Sequence, residues 1–529
     1  MTRPGTETAQ LQHDAGAVLH VGFVGTTPPD WLRRRLAARE VGGVVLFSRH
    51  IESHPQLLAL NTALRDANPE VLIAIDEEGG DVNRLEIADG SAYPGNLALG
   101  SADEPSLTEA VAASIGRDLS ALGINLNYAP VADVNANPDN PVIGVRSFGA
   151  DASLVARHTA AYVRGLQTTG VAACAKHFPG HGDTSADSHL GLPLIDFDDA
   201  AEAVHLAPFR AAIAAGVKTI MTAHILFPRR DPDLPATMSH AILTGLLRTE
   251  LGYDGLIVTD GIDMGAISGR YGVAEGTVKA IAAGADAICW GGSPVGEETF
   301  TYLRDALTWA VREGRLSADR LHEAAERNRA VARWSAAVRA RDSAGPVTGS
   351  GREVGLDAAR RALRIRGPLT PITAPAHVIE FSPLVSIAVD GATAWGVATP
   401  LKALIPGTTS ARIDAPAART ESVGLMSARV LDDDARVDIT ALLAQAAHRP
   451  LVLVVRDLHR NPWMADAVDA ALSQRPDAVV VEMGVPYGRL DELAARGTTV
   501  MTTYGAARVC ALAAAEALTK QPPADSTGT

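Results

Sequence analysis

Between residues 17 and 292, short and continuously apolar runs alternate with longer stretches whose apolar positions recur every three to four residues. The runs are Ala17–Gly25, Val41–Phe47, Val71–Asp76, Ile124–Val134, Val171–Lys176, Val217–His224, Gly255–Asp260 and Ala285–Gly292. Between them lie amphipathic stretches such as Asp30–Glu40, Pro105–Leu122, Asp151–Thr168, Ala200–Ala215 and Met264–Ala283, and Glu297–Glu313 follows the eighth run. Strands that are apolar on both faces and each followed by a helix belong to a parallel sheet covered by helices. Eight such units in about 250 residues predict a (β/α)8 barrel, an α/β fold, over residues 17–341. An open doubly wound sheet shares the pattern and stands as the alternative. Residues 1–16 are expected to be an N-terminal tail.

The pattern changes after the Arg- and Ala-rich helix predicted for Ser317–Arg341. Residues 342–351 are a Gly/Ser/Pro run, a linker by composition. Beyond it, His377–Phe381, Leu451–Arg456, Ala478–Met483 and Thr498–Thr503 are strand-like, with helical patterns such as Trp463–Gln474 and Gly505–Leu518 between and after them. Residues 352–520 therefore predict a second, smaller α/β domain with a parallel sheet, and 521–529 a frayed tail.

Composition narrows the class. The net charge is −14, and the chain carries no block of lysine and arginine. Nucleic-acid binding needs a basic footprint and is not expected. Cys174, Cys289 and Cys510 are far apart in apolar surroundings, which predicts buried free thiols in a reducing compartment. Met1–Ala15 has no signal-peptide pattern, and no window approaches the ~20 apolar residues of a membrane span. The expected location is the cytoplasm, with no membrane partner. Nothing in the sequence sets the oligomeric state.

The densest chemistry lies in Lys176–His189, which packs a lysine, three histidines and two acids among Pro179, Gly180 and Gly182. Neither helical nor strand periodicity survives that mixture, so a loop is predicted at the exit of a buried strand. In a barrel, function sits at the C-terminal strand ends. Those ends carry Asp76-Glu77-Glu78-Gly79-Gly80 with Arg84, Asp133 followed by Arg146, Lys176-His177, His224 and Asp260. Asp76, Arg84, Arg146, Lys176 and His177 form a mixed set of donors and acceptors suited to a polyhydroxylated ligand. His177, His181 and His189 do not share a face on a Pro/Gly loop, so no metal is expected. No phosphate-binding loop with Lys-Ser/Thr is present, and no G-x-S-x-G elbow. No cofactor is implied.

These residues resemble glycoside hydrolase family 3, in its bacterial β-N-acetylhexosaminidase branch. The likeness rests on Ile75–Gly80 with Arg84, Arg146–Gly149, Lys176–Gly182, Asp187-Ser188-His189, Met221–His224 and Val258–Met264. It implies a retaining, metal-free hydrolase that removes a terminal sugar through a covalent glycosyl-enzyme. By resemblance, Asp260 is the nucleophile, His189 the general acid/base and Asp187 the residue that orients it. Asp76, Arg84, Arg146, Lys176 and His177 match sugar-binding positions. A carboxylate at Asp260 with a cation such as Lys176 or His177 beside it suits the nucleophile's part. A histidine can give and take a proton near neutral pH.

The branch commonly has Gln and Arg at the positions of Glu77 and Asp81, and the acids here imply a more acidic pocket rim. Family members of other specificity usually place a glutamate acid/base on the second domain, where this chain offers only Glu482. The expected function is an exo-acting β-N-acetylglucosaminidase on small GlcNAc-containing glycosides, resembling enzymes that recycle cell-wall fragments. The alternatives are a phosphorylase and a family 3 β-glycosidase of other sugar specificity.

Overall fold

Eight short parallel strands follow one another around a ring: β1 (Leu19–Val21), β2 (Gly43–Leu46), β3 (Leu72–Ile75), β4 (Leu126–Asn127), β5 (Ala172–Phe178), β6 (Thr219–Thr222), β7 (Leu256–Thr259) and β8 (Ile288–Trp290). Each pairs with its sequence neighbour, and β1 pairs with β8. A parallel bridge between Val258 and Ala287 joins β7 to β8 and completes the ring. The architecture is thus the α/β barrel that the pattern predicts, not an open sheet. The structure is a computed structural model, and it describes residues 4–184, 188, 191–293, 295–342, 352–384, 386–415, 419–423, 426–430 and 437–520. Asp187 and His189 lie outside the described residues, as do most of the predicted linker (343–351) and the predicted tail (521–529).

The strands are shorter than their apolar runs. The run Ile124–Val134 yields only Leu126–Asn127 as strand, because Pro130 has no N–H to continue the ladder. Pairing resumes irregularly, with Ala132 N–H donating to Lys176 O. One correction concerns the segment after Ala175. Lys176, His177 and Phe178 are not loop but the end of β5, where the register against β6 shifts between Ala175 and Phe178. The irregularity lets three polar or bulky residues stay in a buried strand.

A second correction concerns residues 1–16. Pro4–Ala17 is a helix that packs against the helices Glu297–Arg312 and Ala318–Asp342. Its Asp14 is buried and pairs with His322 (2.9 Å) and Arg329 (3.0 Å), so this segment is not a tail. The barrel interior is filled by Val45, Leu72, Ala74, Leu126, Ala172, Cys174, Leu256, Val258 and Ala287, with Val331 and Ala332 of the helix Ala318–Asp342. Function is left to the other end.

The second domain holds a six-stranded sheet in the order β11 (Thr409–Asp414), β10 (His377–Ser382), β14 (Leu451–Val455), β15 (Val479–Glu482), β16 (Val500–Thr502), β9 (Arg364–Arg366). Five strands are parallel, but β9 runs antiparallel to β16, so the sheet is mixed and not wholly parallel. A hairpin of β12 (Arg419–Val423) and β13 (Met426–Val430) stands apart. Apolar clusters cover both faces of the large sheet. All three cysteines are buried and free. Among the described residues, no helix is long and apolar enough to cross a membrane.

Candidate active site

A cavity of about 440 Å3 opens at the C-terminal end of the barrel. Its floor is a set of alternating charges from three strand ends. Lys176 Nζ lies 2.8 Å from Asp76 Oδ1 and 2.7 Å from Glu78 Oε1. Arg146 grips Glu78 with two parallel bonds, Nε to Oε2 at 3.0 Å and Nη2 to Oε1 at 2.8 Å. Lys176 is 2% exposed, Glu78 3% and Arg146 7%, so the network is withdrawn from water. Burial alone would raise the Glu78 carboxyl, but Arg146 and Lys176 overcome it and hold it at about 2. Burial likewise works against the Lys176 ammonium, and Asp76 and Glu78 reverse this and raise its pKa. The charges hold one another in place.

Asp133 follows β4 and forms the next tier. It is fully buried, and its Oδ2 accepts from His177 Nδ1 at 2.8 Å. Its Oδ1 accepts from the backbone N–H groups of His177 (3.1 Å) and His181 (2.7 Å). Burial would raise its pKa, but His177 and these donors bring it below the ordinary carboxylate range. Asp133 therefore presents His177 to the cavity without lining it. His181 sits against the same acid. Its Nδ1 pairs with Thr184 Oγ1 and its Nε2 with Ser188 Oγ, each at 2.9 Å. Burial, aided by His177, pushes its pKa down to about 4, which leaves the ring neutral. Gly182 is required here, since a Cβ would lie 1.8 Å from Val134 O.

Asp260 lies one residue past β7 and lines the cavity. Its Oδ1 accepts from Gly261 N–H at 2.8 Å, and His224 Nε2 donates to Gly261 O at 2.9 Å, so the turn is braced from β6. Asp76, Arg84, Arg146, Lys176, His177 and Asp260 all face one cavity. The ammonium of Lys176 is engaged by Asp76 and Glu78, and His177 by Asp133. Asp187 and His189 fall outside the described residues, between and beyond Thr184 and Ser188.

Two readings of the sequence are corrected. Glu77 and Asp81 do not acidify the cavity rim. Glu77 turns inward and its Oε2 accepts from the N–H groups of Arg84 (2.8 Å) and Leu85 (3.2 Å), while burial pushes its pKa up to about 7. Asp81 faces the second domain, where it pairs with Arg456 and accepts from Ala506 N–H at 2.9 Å. Glu482 is also structural. It is fully buried and accepts three backbone N–H groups, from Asp457 (2.8 Å), Leu458 (3.1 Å) and Gly484 (2.6 Å). It does not line the cavity.

Other lining residues escaped the sequence reading. Glu78 is central to the floor, pairing with Arg146 and Lys176, and its neighbour Glu77 carries the same side chain, so residue type alone does not single it out. Arg49, three residues past β2, lines the mouth, donates to Gly291 O at 2.6 Å and stacks over Phe47. The strand-end criterion applied to the second strand would have found it. Asp263 is buried at the cavity wall and accepts from Ser293 N–H at 2.7 Å. Ile387, Ala388 and Asp390 come from the second domain, and no local signal in the sequence marks them.

A carboxylate beside a hydrogen-bonding pocket of fixed donors and acceptors at a barrel mouth suits a polyhydroxylated ligand, and comparison with known proteins supplies the family. The model of the glycosyl hydrolase family 3 N-terminal domain matches residues 10–331, and the protein belongs to that family. The β-hexosaminidase A of Pseudoalteromonas piscicida is 40% identical over 284 residues, 49% of this chain and 47% of that protein. The chain thus spans about half the length of that curated relative. A family 3 β-N-acetylglucosaminidase from Paenibacillus sp. str. FPU-7 superposes with a TM-score of 0.81 at 34% identity, over 96% of each chain. The β-N-acetylhexosaminidase of Beutenbergia cavernae superposes with a TM-score of 0.56 at 32% identity, covering 61% of this chain and 98% of that one.

Proposed function

We propose that the protein is a retaining, exo-acting β-N-acetylglucosaminidase that releases terminal GlcNAc from small glycosides. The observation that carries this reading is the closed cavity floor of Asp76, Glu78, Arg146 and Lys176, with Asp260 beside it. A pocket closed at its floor admits a chain end and not a chain middle. Fixed donors and acceptors there bind sugar hydroxyls without reorganising. Asp260 attacks the anomeric carbon and forms the glycosyl-enzyme as the glycosidic bond breaks. His189 gives its proton to the departing oxygen and then takes one from water, with Asp187 orienting the imidazole as in a triad. The likeness to a bacterial β-hexosaminidase supports the acetamido sugar, and the proposal extends to a place in cytoplasmic recycling of cell-wall fragments. The domain limits that fit this reading are a catalytic barrel to residue 341 and a second domain over 352–520.

One other reading follows from the histidine. An imidazole does not repel a phosphate dianion as a carboxylate would, so phosphate in place of water would release a sugar 1-phosphate. Turnover of aryl β-N-acetylglucosaminide and aryl β-glucoside, each with and without phosphate, tests both. Release of free GlcNAc at a rate far above that of glucose is expected. Preference for the glucoside sinks the sugar assignment, and GlcNAc 1-phosphate as the main product replaces hydrolysis by phosphorolysis.

A further inference from the structure

We propose that the outer face of the helix Glu297–Arg312 is a second sugar site, separate from the cavity, which holds a neutral β-1,4-linked chain of N-acetylated sugars. The choice of a sugar as occupant rests on the glycosidase reading above. The helix leaves two large aromatic side chains in the open, Tyr302 at 58% exposure and Trp309 at 57%. Exposed rings scattered singly are ordinary. These two line one groove of about 1080 Å3, which Arg35 of the helix Asp30–Ala37 flanks.

The spacing of the rings selects the ligand. Seven positions separate them, which puts both on one helix face to within about 20° and about 10 Å apart along the axis. Successive units of a β-1,4-linked sugar chain are turned over relative to one another. The same sugar face therefore returns at every second unit, and that repeat matches the spacing of the rings. Tyr302 and Trp309 then hold alternate units, and the unit between them passes over Ala306, whose methyl group leaves it room. The negative face of each ring attracts the sugar's C–H groups. The Arg312 guanidinium lies over one face of Trp309, 5.8 Å from the centroid, and the sugar takes the other.

The edges of the groove suit hydroxyl and acetamido groups. Glu297 is held by Arg34 and Arg35, each at 3.1 Å, and Asp305 by Arg304 at 2.9 Å, so planar donors and acceptors stand fixed beside the rings. Glu298 adds a further carboxylate, and this excess of acid favours a neutral chain over a polyanion. Among the described residues that line the groove, only the two rings and Ala306 have apolar side chains, whereas the centre of a protein interface is more continuously apolar. The groove also begins near the catalytic mouth. Gly292 and Ser293 line the cavity and Gly296 lines the groove, at most about 11 Å further along the chain. A sugar chain held there stays close to the cavity at a high effective concentration.

Equilibrium dialysis of full-length Asp260→Ala against tri-N-acetylchitotriose reads the site without turnover. The trisaccharide is long enough to reach both rings and too short to bridge groove and cavity. Two molecules should bind per protein, one in each place. Adding Trp309→Ala should weaken one of them on the order of tenfold, whereas Tyr302→Phe, which keeps a ring, should leave both affinities within twofold. With Asp260 intact, Trp309→Ala should keep the wild-type kcat/KM on aryl β-N-acetylglucosaminide, which shows that fold and cavity survive. Binding that Trp309→Ala does not change overturns the proposal and leaves the glycosidase reading intact. So does a dimer in sedimentation that Trp309→Ala dissociates while sugar binding stays the same, since this face is then a contact between copies. A wild-type protein that binds the trisaccharide through Trp309 but cleaves neither it nor the aryl glycoside overturns the glycosidase reading alone.

Discussion

Asp260 and Asp263 are three residues apart, both near the cavity, yet their environments suit different work. Both line the cavity, but Asp260 is partly accessible whereas Asp263 is fully buried, with its Oδ2 on Ser293 N–H. Burial raises the Asp263 pKa, which opposes a negative nucleophile there. Asp260→Ala should abolish turnover of every substrate while the fold survives, and a slow 2-fluoro sugar should label Asp260 covalently. A label on Asp263 would overturn the assignment. His189→Ala should slow disaccharides most, because aryl glycosides with acidic phenols leave without protonation. On such activated substrates the variant should accumulate the glycosyl-enzyme, and azide, which needs no base, should speed its release. Equal loss on good and poor leaving groups with no azide effect would make His189 a binding residue. At this scale the sequence names residue types at strand ends but not their directions. Glu77 and Glu78 are adjacent and identical in type, yet one turns inward to the N–H groups of Arg84 and Leu85 and the other pairs with Arg146 and Lys176 at the floor. Gly80 adopts φ +65° and packs so closely on Gly95 that a Cβ would come within 2.5 Å of its Cα, a constraint that long-range packing sets.

The elements that frame the site are held by short bonded chains across the domains. The second domain's turn Leu458–Arg460 reaches the segment after β4, where His459 Nε2 donates to Pro138 O at 2.9 Å and Arg460 Nη1 to Asn140 O at 2.8 Å. The Asn140 amide then donates to His181 O at 2.9 Å and to Thr184 Oγ1 at 3.2 Å. Glu482 anchors the start of that turn through the N–H groups of Asp457 and Leu458, and burial, with the Asp457 carboxylate, pushes its pKa up to about 7. Glu482→Gln puts an NH2 where an acceptor stood and leaves at least one buried N–H unpaired. It should cost about 1–3 kcal/mol of stability, read as a lower unfolding midpoint, while the leaving-group dependence keeps its wild-type slope. A changed slope would return Glu482 to the list of acid/base candidates. Element positions were legible because buried parallel strands leave continuous apolar runs. Their lengths were not, since apolarity extends past the paired residues at Pro130 and around β1. The stretch Met264–Ala283 reads as one helix but breaks into Gly265–Ser268 and Val273–Ala283, with Gly272 at φ +76° between them.

Across the whole molecule, the two domains meet where the β3 segment carries Asp81, and Arg456 bridges that acid to the face of Trp395 (5.1 Å from the ring centroid). Residues 375 positions apart meet there, a juxtaposition that no local pattern encodes. Buried titratable groups in both domains then tie stability to pH in opposing senses. His20, His50 and His181 are lowered from 6.5 to about 4, chiefly by burial. Between those values the unfolded chain binds more protons than the folded one, so their contribution is lost as pH falls from about 6.5 to 4, on the order of 3 kcal/mol per group when complete. Glu77 and Glu482 are raised from 4.5 to about 7, so they act the other way and add stability as pH falls from about 7 to 4.5. Burial also lowers His158, His205 and His377, which tips the balance towards the histidines. The unfolding midpoint should therefore be lower at pH 4.5 than at pH 6.5. His20 bonds Asn328 Oδ1 through Nε2 (2.7 Å) and Tyr128 OH through Nδ1 (3.2 Å), linking β1 to the helix Ala318–Asp342. A glutamine there keeps a donor and an acceptor but does not titrate. His20→Gln should therefore shrink the difference between the two midpoints, even if it lowers both. Glu77→Gln removes a group that favours the acid side and should widen it. If neither variant changes the difference, these buried groups do not set the acid stability of the fold.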